Sequence, residues 1–256
     1  MISSVWEAVA VLLAGVAAGT INTVVGSGTL ITFPTLLAFG LPPVTANVSN
    51  TLGLVPGSLS GAIGYRAELA GQLPRLLRLG AASLVGGIIG AVLLLTLPSS
   101  AFDTIVPVLI ALGCVMVVVG PAISRRVAAR AESRGGLPEH GVWWVWPAVC
   151  GAGVYGGYFG AAQGVLLLAI LGIGVADSLQ RHNATKNVLA MIVNGVAAVV
   201  FLFVAHIDWR AAGLIAVGSV IGGQIGATVG RRLPSVALRS IIVVVGVVAI
   251  VSLLLG

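Results

Sequence analysis

Ser83-Leu84-Val85-Gly86-Gly87-Ile88-Ile89-Gly90-Ala91 returns in the same chain as Ser219-Val220-Ile221-Gly222-Gly223-Gln224-Ile225-Gly226-Ala227. Downstream, Leu97-Pro98-Ser99 returns as Leu233-Pro234-Ser235. The shift from Ser83 to Ser219 is 136 residues, about half of the 256. At a shift of 134, Gly19, Gly26, Gly40 and Gly61 fall on Gly153, Gly160, Gly174 and Gly195, and Leu37 and Thr51 fall on Leu171 and Thr185. The chain reads as a duplicated half.

Composition says what kind of half it is. Hydrophobic residues make up 58% of the chain and charged residues 8%. A soluble domain needs far more charge to cover its surface, so this is an integral membrane protein. Gly-rich stretches within apolar runs read as close helix-packing contacts. Cys114 and Cys150 both lie in apolar runs and read as buried thiols, with no disulfide framework or metal site. The net charge of +6 does not point to nucleic acid, because the basic residues sit in short connections between apolar runs. No Lys or Arg precedes the first apolar run, which predicts no cleaved signal peptide.

Five apolar segments are expected per half. They are Val5–Val25, Thr29–Phe39, Pro42–Tyr65, Pro74–Leu97 and Phe102–Ile123, then Val142–Phe159, Gln163–Ile173, Asp177–Ala205, Ala211–Arg231 and Val236–Leu255. Four in each half are long enough for a ~30 Å hydrocarbon core, which takes roughly 20 residues. The second of each half has 11 residues and is a half-helix, a re-entrant piece or a tightly fitted short span. The expected fold is an all-α polytopic membrane protein of 8–10 transmembrane helices. Its parts are a first repeat over 1–123, a flexible cytoplasmic linker over 124–141, and a second repeat over 142–256.

Charge placement orients the repeats. Arg66, Arg75 and Arg78 flank the connection between segments three and four, Arg125, Arg126, Arg130 and Arg134 lie between the halves, and Arg231, Arg232 and Arg239 lie between the last two segments. With these connections in the cytoplasm, only Arg210 of the thirteen basic residues is left outside. The connection between segments three and four is then inside in one half and outside in the other. The repeats are expected to be inverted, with both termini outside. Trp143, Trp144 and Trp146 read as an interfacial belt.

Polar residues mark the candidate site. Asn22-Thr23-Val24-Val25-Gly26-Ser27-Gly28-Thr29 interrupts an apolar run, and a helix restarting near Gly28 and Thr29 would aim free N–H groups at an anion in the gap. The matching break holds Tyr155, Tyr158, Gln163 and Gly164. A second candidate opens the third segments: Asp177 with Gln180 resembles a capping box, and Arg181, Asn183, Thr185, Lys186 and Asn187 follow it. Lys186 lies about 13 Å along the axis from Asp177. Asn183, Asn187 and Asn194 share a face, and Arg181 and Thr185 are spaced to pair at i, i+4. The first half offers Thr45, Asn47, Ser49, Asn50 and Thr51, polar but uncharged. Ionisable groups at membrane depth are costly and line pathways. The lone His182 reads as a hydrogen-bonded structural residue, since one side chain makes no relay.

The chain resembles the TauE/SafE family of sulfite-exporter-type membrane proteins over nearly its whole length. The resemblance rests on Ala18-Gly19-Thr20-Ile21-Asn22-Thr23-Val24-Val25-Gly26-Ser27-Gly28, Phe33-Pro34-Thr35-Leu36-Leu37, Gly40-Leu41-Pro42-Pro43-Val44-Thr45-Ala46-Asn47 and the counterpart Gly153-Val154-Tyr155-Gly156-Gly157-Tyr158-Phe159-Gly160-Ala161. It implies export of small sulfur-containing anions such as sulfite or sulfoacetate, with other organic anions for some members. The second half has Arg181, His182 and Lys186 where the first has Asn47, Val48 and Leu52.

The expected function is a secondary transporter in the cytoplasmic membrane. It would export a small sulfur-containing or organic anion by alternating access, with substrate near the midplane between the breaks. Asn22, Thr23, Ser27, Gly28, Thr29, Asn47, Asn50, Thr51, Tyr155, Tyr158, Gln163, Gly164, Arg181, Asn183, Thr185, Lys186 and Asn187 are its candidate binding residues. No cofactor is expected, and the oligomeric state stays open. The alternative is a membrane-embedded enzyme or assembly factor with a buried polar site. Such a site calls for clustered His, Asp or Glu, and here the histidines are dispersed.

Overall fold

The computed structural model describes residues 4–132, 138, 141–229, 240, 242–248, 250 and 251. Regular structure among them is helical: α1 (Val5–Val24), α2 (Thr29–Ala38), α3 (Pro43–Gly64), α4 (Leu73–Thr96), α5 (Ser99–Glu132), α6 (Val145–Tyr158), α7 (Gln163–Gly174), α8 (Leu179–Val204) and α9 (Trp209–Thr228). The described part of the tenth expected segment is helical too. The Leu233-Pro234-Ser235 copy and Arg231, Arg232 and Arg239 lie outside the described residues. So do 133–137, 139 and 140 of the expected linker. Ahead of them α5 runs on to Glu132, nine residues past the expected end at Ile123, through a stretch rich in the strong helix formers Ala and Arg.

By length and composition, α1, Ser100–Gly120 of α5, α4, α8 and α9 are five helices apolar enough to cross a membrane. With 22 residues, α3 is as long, but Asn47, Ser49, Asn50, Thr51, Ser58 and Ser60 are buried along it. Such a helix keeps its polar groups from lipid by lying among its neighbours. At 10 and 12 residues, α2 and α7 rise about 15–18 Å, half of the hydrocarbon thickness.

Helix contacts recur with the halves exchanged. α1 packs on α9 and α4 on α6; α3 lies along α9 and α8 along α4; α3 and α8 meet each other. The repeated Gly-Gly-x-x-Gly-Ala phrase makes the first pair of crossings. A Cβ on Gly86 would strike the Cys150 carbonyl oxygen, and one on Gly222 would strike that of Val16, 134 residues earlier than Cys150. Gly90 and Gly226 face the carbonyls of Val154 and Thr20 at the same offset. Gly153 and Gly19 return the contact onto Ser83 and Ser219. Only a bare Cα lets the helix backbones approach this closely.

Both breaks end their helices in one way. Val25 and Gly26 donate their N–H groups to Ile21 O, as Phe159 and Gly160 do to Tyr155 O. Gly26 (φ 92°) and Gly160 (φ 73°) then turn in left-handed backbone. This is the glycine-ended C-terminus that satisfies the last helical carbonyls.

Candidate functional site

The two breaks touch, backbone to backbone. Gly164 N donates to Gly26 O at 3.0 Å, and a Cβ on either glycine would overlap the other residue. The Gly164 N–H at the start of α7 is therefore taken by protein. The gap is closed at the glycines, and any ligand space lies beside them.

Beside the first break, α8 and α3 converge on the end of α1. Lys186 of α8 is fully buried. Its Nζ donates to Asn22 O and Thr23 O, both at 2.9 Å. These carbonyls belong to the last turn of α1, whose partial negative charge attracts a cation. Asn187 Nδ2 adds a bond to Thr23 O at 3.4 Å. When protonated, the Lys186 amine has three donors, and two carbonyls accept from it here. No carboxylate pairs with Lys186 among the described residues. The side chains of Asn22 and Asn194 both point Nδ2 at Ser58 Oγ of α3, at 3.5 and 3.2 Å. Ser27 Oγ is fully buried without a hydrogen-bond partner.

Beside the second break the chemistry is neutral. Asn47 Nδ2 donates to Tyr158 O at 2.9 Å, at the end of α6. At the start of α2, which follows the first break, Asn50 Nδ2 donates to Thr29 Oγ1 at 3.2 Å and Asn50 Oδ1 accepts from Thr32 Oγ1. Phe159 packs edge-on against Phe33 with ring centres 5.0 Å apart, and Phe102 lies 5.7 Å from the Tyr158 ring. Asn47 Oδ1, Tyr158 Oη and Gln163 Nε2 are buried here without partners. Buried polar atoms are paired as a rule, so these point to space for water or a ligand.

Other expected site residues have different partners. Arg181 does not pair with Thr185. Its Nε lies 2.8 and 3.0 Å from the two Asp177 carboxylate oxygens and its Nη1 donates to Ala70 O at 3.2 Å, while Thr185 Oγ1 donates to Gln72 Oε1 at 2.8 Å. Asp177 is not the α8 cap. Ser178 caps the helix by accepting from Arg181 N at 3.3 Å, with no capping box through Gln180. Asp177 is thereby left for Arg75, whose Nη1 donates to it at 2.6 Å. Burial alone would raise the Asp177 pKa; the hydrogen bonds from Arg75, Arg181 and Ser178 N–H outweigh that and hold it below its ordinary value. Thr51 Oγ1 donates to Asn47 O one turn back at 2.9 Å, and Tyr155 Oη reaches Leu109 O of α5 at 3.5 Å. Gly28 packs its Cα against the Ala18 carbonyl and the Asn22 side chain. Asn183 Oδ1 and His182 Nε2 are buried without hydrogen-bond partners.

Arg75, Gln72, Ser58 and Thr32 were outside the expected set. Arg75 read as a loop charge that sets topology. Its side chain is 4% exposed, and the available signal was the Gln72/Arg75 spacing of i, i+3 at the head of α4.

The sequence matches the family described as sulfite exporter TauE/SafE over residues 11–253. Curated relatives span most of the chain. The probable membrane transporter protein YfcA of Escherichia coli (strain K12) is 26% identical over 93% of this chain and 86% of its own length. The probable membrane transporter protein ORF9 of Sinorhizobium sp is 26% identical over 93% of this chain and 88% of its own length. A probable membrane transporter protein of Haemophilus influenzae is 24% identical over 90% and 88%.

Proposed function

This chain belongs to the sulfite exporter TauE/SafE family, and we propose that it exports a small sulfur-containing or organic anion, of the sulfite or sulfoacetate kind, across the cytoplasmic membrane. Its relatives are named as membrane transporters, and its helices are those of a multi-pass membrane protein. The observation that carries the anion reading is Lys186. It is a fully buried lysine amine held by two carbonyls at a helix end, with no carboxylate among its described partners. A lone charge in that setting calls for a mobile counter-charge, and an anionic oxygen beside the α1 break supplies one.

Substrate binds beside the touching glycines. Lys186 swings its charge from the α1 carbonyls onto the anion. Asn22, Asn194 and Asn187 furnish amide donors around it. The unpartnered polar atoms of Tyr158 and Gln163 at the second break receive the anion on the far side of the crossing. The repeats act as inverted units that rock about the α3/α8 contact, which alternates access. The exchange of helix contacts between the halves supports this reading. An inside-negative potential drives an anion outward by about 2.3 kcal/mol per charge per 100 mV, so export needs no coupled ion.

The test is reconstitution in liposomes with sulfite and sulfoacetate flux measured under imposed potentials. Flux should rise with the driving potential and collapse in Lys186→Ala and Asn22→Ala. Flux unaltered by both substitutions removes this site. Absence of flux for every tested anion returns the membrane-enzyme alternative. A periplasmic reporter fused after Gly256 should be active if the termini face outward.

A further inference from the structure

A buried ion pair lies away from the glycine contact of the breaks. It joins the α3–α4 connection of the first half to the head of α8 in the second. Arg75 Nη1 reaches both Asp177 Oδ2 (2.6 Å) and Gln72 Oε1 (2.9 Å). Thr185 Oγ1 donates to the same Gln72 oxygen at 2.8 Å, and Arg181 joins Asp177 to Ala70 O. We infer that Arg75, Asp177 and Arg181, with Gln72 and Thr185, form a releasable clasp between the halves. In this role they are positioning residues: they close the Arg-bearing face over Lys186 and let go when the site opens to that side.

Three observations carry this. First, every bond of the clasp that crosses between the halves lands on Asp177 or on the first two turns of α8, and Lys186 follows Thr185 directly on that helix. Moving those turns away from Gln72 and Ala70 also moves the ammonium away from Asn22 O and Thr23 O. Second, Arg75 and Asp177 are 4% and 11% exposed. A buried ion pair is a poor way to gain stability over apolar packing, and switching is its best-attested use. Third, the repeat does not copy the Arg75–Asp177 pair onto the opposite face. There the repeat register replaces Gln72 and Arg75 by Asp208 and Ala211, and Asp177 and Arg181 by Pro43 and Asn47. Asp208 N there donates to Ser49 Oγ at 2.9 Å, a neutral bond. One mouth is tied by a buried ion pair that the repeat does not supply at the other, so the two are built to open at different cost.

The clasp rests on the transport reading, and the experiment separates the two. In protein lacking Cys114 and Cys150, an Asn22→Cys reporter is labelled with a membrane-impermeant maleimide from each side in turn. This arm needs no substrate. Adding Asp177→Asn or Arg75→Gln should raise labelling from the Arg-bearing face about tenfold, the scale of a modest population shift. Asp177→Glu should hold the rate near its starting value. In a second arm, with Asn22 restored, an Arg75→Cys/Asp177→Cys pair should stop flux when oxidised and recover it on reduction. The clasp is overturned if labelling is unmoved by Asp177→Asn, rises equally from both faces, or if the oxidised pair still transports. If no anion is carried but labelling behaves as described, the clasp stands and the assigned substrate falls.

Discussion

The α1/α9 crossing and the α4/α6 crossing are one interface built twice, with the same carbonyls facing the same glycines 134–136 residues apart. The ends of α1 and α6 begin alike too, with Ile21 and Tyr155 accepting the same pair of N–H groups. Then they part. The α1 end is held by a buried lysine, and the α6 end by Asn47 and a set of packed aromatic rings. The lesson is that the scaffold kept its symmetry where backbones touch and gave it up where a ligand would be bound. Lys186 stands where the first half has Leu52, so one side of the crossing carries an ionisable amine and the other an apolar side chain.

The largest effect should come from the asymmetric position. Lys186→Met removes a charged hydrogen bond worth about 1.5–3 kcal/mol. It should raise the anion concentration for half-maximal flux about ten- to hundred-fold, whereas Asn47→Ala should act mainly on stability. Equal flux defects in the two variants would erase the functional difference between the breaks.

The symmetric positions should respond as a pair. Gly86→Val and Gly222→Val each drive a side chain into a carbonyl of the facing helix, and overpacking of this kind costs about 1–3 kcal/mol. Thermal unfolding in detergent should fall by similar amounts for both, and a large gap between them would break the equivalence of the crossings. Gly26→Ala should match or exceed either, because it adds left-handed strain to the clash with Gly164.

The smallest effect belongs to Thr51→Val. Its hydroxyl bonds one turn back along its own helix, a bond that contributes little to stability. Flux and stability should stay at wild-type levels. A clear flux loss would bring Thr51 back into the site and make the two third segments more alike than their bonds indicate.

Much of the fold was legible because membrane helices announce themselves locally. The α2 and α7 boundaries fell within one residue of expectation, since glycines and prolines bracket short apolar runs. The site was legible by residue type and not by partner. Thr51, Thr185 and Arg181 carry the right chemistry, yet the first bonds within α3 and the other two belong to the clasp. Arg75 shows the reverse: a charge in a connection looks like a topology marker, and no local rule says that its guanidinium is buried against a carboxylate 102 residues away.

The sequence by itself determined an all-helical membrane protein, a duplicated half and two glycine-marked breaks. Those properties follow from hydrophobicity, repeat spacing and backbone freedom, each of which acts over a few residues. Only the tertiary structure decided that the breaks meet at Gly26 and Gly164, that Lys186 faces the carbonyl end of α1, and that Asp177 joins the two halves. Those outcomes depend on which backbones approach one another across more than a hundred residues of chain. The closeness of that approach is set by packing, which no local stretch of sequence contains.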